Sequence, residues 1–406
     1  MIEATNPSAS VNRILITKGL RAFGDGYVSL LLPLYLIELG MSPFQVGLVA
    51  TTTLLGSALS TVLVGLHAYR YHYRTMLLAA SAMMFGTGLG FATITDFWPL
   101  LLIALVGTLN PSSGDASVFL PLEHALLSSV IDDKRRTRVF AHYSLVGSLV
   151  AAFGSLAAAL PSMAGSVGLT TLAAIKGMFL LYALLAAVAA WVYRGLPRAL
   201  SAEVRAPAAP LTRSRTRVYT LAALFSLDAF GGGLVVQSIL ALWLFQSYAL
   251  SITAAGTLFF WTGVLTSISY LVAVRIAARW GLLNTMVFTH LPSSLCLIAI
   301  PFMPALSYVI VLLFIRSALS QMDVPTRSSY VMAIVQPGER PATASITAVP
   351  RSLAAAVSPV LSGYLLGVSA FGWPLLIAGS AKIVYDMLLF GMFRKIRPPE
   401  EAPRDG

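Results

Sequence analysis

Cysteine is almost absent: Cys296 is the single one, set in an apolar run. With no second thiol there is no intrachain disulfide, and cysteine-based redox chemistry or metal binding has nothing to rest on. Charge is scarce too, since Asp, Glu, Lys and Arg make up 11% of the 406 residues, where a soluble domain carries about 25%. Water is therefore not the main solvent of this chain. The N-terminal stretch MIEATNPSASVNR lacks a short apolar run closed by small residues, so no removable signal peptide is expected and the first apolar segment is expected to direct its own insertion. No nucleophile and base occur at a recognisable spacing, which argues against an enzyme, and no cofactor is expected. His67 and His72, at i and i+5 beside a basic loop, lack a third ligand and read as a solvated loop, with no metal expected.

What the chain does have is hydrophobicity: 57% of its residues are apolar and its mean hydropathy is +0.81. A helix needs roughly 20 apolar residues to cross a bilayer. Long apolar runs separated by polar or Pro/Gly breaks predict spans at 13–38, 44–66, 75–95, 98–131, 137–160 and 170–194, and again at 217–246, 252–278, 283–302, 305–334, 342–368 and 372–393. The fold class expected is an all-α integral membrane protein of twelve transmembrane helices.

Lys and Arg set the topology, because cytoplasmic loops retain positive charge. The connections at 70–74, 132–138, 194–217, 275–281 and 336–340, with the two termini, hold 20 of the 27 basic residues, and the alternate connections hold none. That alternation predicts both termini in the cytoplasm, at an inner or plasma membrane. It also accounts for most of the net charge of +11, so no nucleic-acid partner is needed to explain it; the expected partners are the lipid bilayer, a small-molecule substrate and a proton or other coupling ion.

The stretch 195–216 is rich in Ala, Pro and Arg and reads as a cytoplasmic linker between an N-terminal six-helix bundle (1–194) and a C-terminal one (217–406). The halves echo each other. AFGDG at Ala22 to Gly26 recurs as AFGGG at Ala229 to Gly233, and PLEHALLSSV from Pro121 matches PTRSSYVMAI from Pro325 in the same order. Such ordered matches point to two pseudo-symmetric copies of one unit.

Ionisable side chains at membrane depth are costly and mark function by default. On span 1, Lys18, Arg21 and Asp25 lie at i, i+3 and i+7 on one stripe; span 10 carries Arg316, Asp323 and Arg327 in a similar line. Span 4 adds Asp115 and Glu123, and span 7 adds Asp228. Counting 1.5 Å of rise per residue, Arg21, Asp25, Asp115, Asp228 and Arg316 lie deep, as substrate-binding candidates; Glu123, Asp323 and Arg327 lie nearer the cytoplasmic ends, as gate or salt-bridge candidates. Lys382 and Asp386, at i and i+4 on span 12, read as a structural pair with each other. Arg351 also reads as structural, and His142 and His290 as packed or hydrogen-bonded residues, with His142 open to a role in a proton path.

The loop GLHAYRYHYR, with Gly65, Arg70 and Arg74, and its counterpart VRIAARWG, with Arg279 and Gly281, resemble the signature loop G-x-x-x-D-R-x-G-R-R of the major facilitator superfamily. Tyr69, His72 and Ala278 depart from it, at positions of the acid, the glycine and the second acid. The Gly-Pro pattern of drug-proton antiporters is missing from span 5, which offers Gly147 and Gly154, while SPVLSGY from Ser358 echoes the pattern in span 11. The resemblance implies the major facilitator fold, a monomer, and a secondary transporter whose helices 1, 4, 7 and 10 line the central cavity. The intramembrane charges named above fall mostly on those four. Asp25 and Asp115 are the candidates for proton coupling, because burial raises a carboxylate's proton affinity and a nearby Arg lowers it. The mixed sign of these groups favours a small polar or anionic solute, with export (efflux by antiport) preferred. Proton-driven uptake and a non-transporting receptor or assembly factor are the alternatives.

Overall fold

In the computed structural model, residues 7–67, 71–112, 117–131, 133–197, 211, 214–336 and 339–396 are described. Asp115, Arg70 and most of the 195–216 linker lie outside these residues. The helices are, in chain order, α1 (Pro7–Glu38), α2 (Pro43–His67), α3 (Tyr73–Thr93), α4 (Phe97–Val106), α5 (Phe119–Val130), α6 (Asp133–Ala157), α7 (Thr171–Arg194), α8 (Arg215–Leu234), α9 (Gln237–Tyr248), α10 (Ile252–Trp280), α11 (Leu282–Ala299), α12 (Leu306–Leu319), α13 (Asp323–Ile334), α14 (Arg340–Val368) and α15 (Trp373–Phe393). Long helices follow from the medium: without water, backbone N–H and C=O groups must bond within their own segment. Large apolar side chains such as Leu102, Trp191, Val274 and Met387 point outward, the arrangement expected of helices solvated by lipid.

Among the described residues, eleven helical stretches are long and apolar enough to cross a membrane. The remaining span is the fourth, and it is not continuous. Where the sequence predicts one helix over 98–131, α4 stops at Val106 and α5 starts at Phe119. The intervening TLNPSSG segment explains the stop, because Pro111 removes a backbone donor and Asn and Ser side chains compete for backbone groups. Asn110 Oδ1 accepts from the Ser112 amide at 3.0 Å and its hydroxyl at 2.7 Å. Around the break, the Thr108 carbonyl accepts from the Tyr182 hydroxyl at 3.2 Å and the Pro111 carbonyl accepts from the Ser238 amide at 3.0 Å. The seventh and tenth spans are also interrupted, between α8 and α9 and between α12 and α13. At the first of these, the Ser362 hydroxyl donates to the Leu234 carbonyl at 2.8 Å.

The described residues fall into two compact units. The first lies within Met1–Arg205 and Val236–Phe260, the second within Ala206–Val235 and Trp261–Gly406. In the first, α1 packs on α6 and α7, and α9 packs on α1; in the second, α8 packs on α14 and α15, and α11 on α15.

The repeated glycine motifs explain the tightest of these contacts. A Cβ on Gly26 would stand 2.1 Å from the Ala151 carbonyl oxygen, and one on Gly154 would stand 2.2 Å from that of Phe23. Helices α1 and α6 thus touch backbone to backbone, as small residues permit in membranes. In the second unit Gly233 repeats the contact, with its missing Cβ 2.2 Å from the Ala355 carbonyl oxygen on α14. We expect Gly26→Val to lower the melting temperature of the detergent-purified protein, by the equivalent of about 2 kcal/mol or more for an overpacked contact. Gly86→Ala, where an added Cβ meets nothing within 4 Å, should leave the melting temperature unchanged or slightly higher.

Candidate functional site

Among the described residues, each unit holds one buried ionic cluster. In the first, Arg21 of α1 forms a two-pronged ion pair with Glu123 of α5, its Nη2 2.6 Å from Oε2 and its Nη1 2.8 Å from Oε1. Glu123 is fully buried and Arg21 is 5% exposed. The carboxylate collects further donors: the Tyr143 hydroxyl at 2.5 Å, the Tyr193 hydroxyl at 2.5 Å and the Thr17 hydroxyl at 3.3 Å. Arg21 also donates to Tyr193 Oη and lies over the Phe119 ring, its Cζ 4.0 Å from the centroid. A buried ion pair balances its desolvation only when its remaining lone pairs and protons are satisfied, and here α1, α5, α6 and α7 each supply part of that shell.

Lys18 and Asp25 flank the pair on the same stripe of α1. The Lys18 ammonium sits 4.9 Å from the Tyr143 ring centroid. Asp25, half-buried, accepts from the Tyr182 hydroxyl at 3.4 Å. That same tyrosine reaches the Thr108 carbonyl, so Asp25 stands beside the break between α4 and α5.

The second cluster is larger. Asp228 of α8 accepts from Lys382 Nζ of α15 at 2.7 Å through Oδ1 and from Arg327 Nη1 of α13 at 3.0 Å through Oδ2. Arg327 also bonds Asp323, one turn earlier on α13, at 2.7 Å. His290 of α11 places Nδ1 3.0 Å from both carboxylate oxygens of Asp386 and Nε2 3.7 Å from Asp228 Oδ1. Asp228, His290, Asp323 and Asp386 are all at most 4% exposed. The i, i+4 pairing expected between Lys382 and Asp386 is therefore replaced: the lysine turns to Asp228 and the aspartate to His290. Neighbouring helices offer each group a partner at hydrogen-bond distance, and the two side chains take those partners instead of each other. His290, expected to be packed or hydrogen-bonded, is hydrogen-bonded to one carboxylate and lies near a second.

Arg316 of α12 stands apart. It makes no ion pair among the described residues, and its Nε is buried without a hydrogen-bond partner. Of the candidates from sequence, the structure thus joins Arg21 with Glu123, and Asp228 with Arg327 and Asp323, and leaves Asp25 and Arg316 outside those sets. Sequence reasoning missed Tyr143, Tyr182 and Tyr193, whose only prior signal was a tyrosine inside an apolar span. It also paired Lys382 with Asp386, whereas each takes a partner on another helix.

Removing one partner of a buried pair leaves an uncompensated charge. Arg21→Met is expected to destabilise the purified protein by about 3 to 5 kcal/mol, and the double variant Arg21→Met/Glu123→Leu by less, since paired replacement by apolar groups is often close to neutral. A double-mutant cycle of denaturation midpoints measures the coupling; purely additive losses would show that the pair contributes nothing.

Comparisons with known proteins agree with this architecture. An uncharacterized membrane protein of Saccharomyces cerevisiae is 25% identical over 412 residues, covering 92% of each chain. Among solved structures, a mutant of the nucleoside transporter NupG superposes with a TM-score of 0.76 at 13% identity, over 95% of this chain and 100% of that one. A D-xylose-proton symporter gives 0.71 at 12% identity, over 95% and 98%. An inward-facing bacterial homolog of the human lysosomal transporter Spinster gives 0.68 at 16%, over 96% and 97%. Identities this low speak to fold. The sequence profile of the Major Facilitator Superfamily matches residues 14–234 and 220–406, nearly the whole described chain, and the protein belongs to that superfamily: an all-helical, multi-pass membrane protein with the transporter fold of two pseudo-symmetric six-helix bundles.

Proposed function

We propose that this protein is a secondary active transporter that moves a small polar or anionic solute by alternating access, coupled to protons, with export as the preferred direction. Its binding groups open to one side of the membrane and then to the other, at an inner or plasma membrane with both termini cytoplasmic. The observation that carries the reading is the coincidence of broken spans with ionic groups. Among the described residues, the fourth, seventh and tenth spans are the interrupted ones, and Asp25, Asp228 and Arg316 lie on or against them. Non-helical backbone at membrane depth persists only where protein buries it or it lines a water-filled cavity, and discontinuous helices are a recurrent device for solute and ion sites in secondary transporters.

The preference for an anion rests on Arg316. A guanidinium at membrane depth with no counter-ion among the described residues is costly, and a solute carboxylate or phosphate supplies a partner in bidentate geometry. In this scheme Asp25 and Asp115 carry the coupling proton, and Arg21, Asp228 and Arg316 are the solute-binding candidates. The structural relatives named above include transporters of nucleosides and of D-xylose with a proton, which fits a polar cargo.

Asp25→Asn and Arg316→Ala are each expected to abolish flux in proteoliposomes without loss of membrane insertion. The assay loads a panel of organic anions and uncharged polar solutes and imposes a pH gradient of either sign. Full activity in both variants removes these residues from the mechanism, and no flux for any solute in the unaltered protein favours a receptor or assembly factor.

A further inference from the structure

The second cluster sets three buried carboxylates, Asp228, Asp323 and Asp386, against Arg327, which is buried, and Lys382, which is half-buried. Arg327 and Lys382 hold Asp228 and Asp323, whereas Asp386 has His290 as its partner among the described residues. With an uncharged imidazole, the fully buried Asp386 faces no cation at ion-pair distance among the described residues; with a protonated one, it does. A buried carboxylate without such a partner is costly, and one proton supplies it.

The atoms agree. Nδ1 needs its hydrogen to donate to Asp386, 3.0 Å from either oxygen. In an uncharged ring Nε2 then points a lone pair at Asp228 Oδ1, 3.7 Å away, which repels. A proton on Nε2 turns that contact into an attraction.

We propose that His290 and Asp386 form a proton-binding site of this transporter, distinct from the acids of the first bundle. Its role in the cycle rests on the transport reading above; the binding of the proton does not. The site takes up one proton, shared between imidazole and carboxylate, which ties α11 to α15 directly and to α8 through Asp228. On release the proton leaves to solvent and Asp386 loses its cationic partner. Lys382 lies one turn away on the same face of α15 and exchanges Asp228 for Asp386, which frees Asp228 Oδ1. A proton is thereby converted into a change of partner between α8 and α15.

The other titratable groups around His290 belong to the elements packed on this core. Helix α13 supplies Asp323, Arg327 and Tyr330, α15 supplies Lys382 and Tyr385, and α8 supplies Asp228. Helix α12 adds Arg316, within electrostatic reach of Cys296 on α11, and α14 adds Arg351, within electrostatic reach of Arg327, Asp228 and Asp323. The Tyr385 hydroxyl is buried without a hydrogen-bond partner among the described residues, and its ring centroid lies 5.9 Å from that of His290.

The test is nitrogen NMR of the full-length protein, labelled at its five histidines and held in lipid nanodiscs, titrated from pH 4 to 10 without solute. The His290 signals are identified by their loss in His290→Gln, or in a variant that keeps His290 while the other four become Gln. We expect a one-proton transition of His290 within this range. Asp386→Asn should weaken proton binding about tenfold, and Lys382→Met should strengthen it to a similar degree, each a shift of about one pH unit. A ring that keeps one protonation state throughout, or a transition that neither variant moves, overturns the proposal. Because the titration needs no transported solute, an absent transition sinks the proton site whatever the flux assay gives. A clear transition without flux for any solute leaves the site standing and sinks the transport reading.

Discussion

A charge inside a membrane has no water to hold it, so every ionic side chain there must find its counterpart in the protein, in a solute or in a proton. This constraint organises both halves of the molecule. In the first unit it draws α1, α5, α6 and α7 around the carboxylate of Glu123, which takes donors from Arg21, Thr17, Tyr143 and Tyr193. In the second it draws α8, α11, α13 and α15 around Asp228 and Asp386. The two solutions differ. The first cluster closes on itself with one acid and one base, while the second sets an imidazole against a buried carboxylate that has no Arg or Lys at ion-pair distance among the described residues.

Lipid-facing side chains do little to specify how these helices pack, since the tails of the bilayer are as apolar as leucine. Specificity comes from two other sources. Glycine allows backbones to meet at Gly26, Gly154 and Gly233, and the ionic clusters fix which helix faces which. Arg21 illustrates the second: its guanidinium reaches α5 and α7 from α1 and also stacks on Phe119, so rotating α1 by a residue would break several contacts together.

The sequence made the spans legible because hydropathy is averaged over some twenty residues, long enough to outweigh single polar insertions. The same averaging hid the break in the fourth span, although Asn110-Pro111-Ser112 is a plain turn signal. Ionic residues were legible one by one, since a charge in an apolar run stands out. Their partners were not. Arg21 and Glu123 are 102 residues apart, and nothing local ties them. The same holds for Asp228 with Lys382 and for His290 with Asp386, 154 and 96 residues apart. Lys382 and Asp386 misled for a physical reason: i, i+4 spacing states which groups are near, whereas burial decides which partner each one takes. The tyrosines carried no mark at all, because a phenol in an apolar span reads equally as core, as membrane interface or as donor.

The glycine seams have an evolutionary corollary. If the two halves descend from one duplicated ancestor, each copy inherited the same steric restriction at its first helix, Gly26 in one and Gly233 in the other. Duplication ordinarily frees one copy to drift. Here it cannot, because a side chain at either seam forces apart helices that the other copy has no means of holding together, and the two positions stay under separate, simultaneous selection.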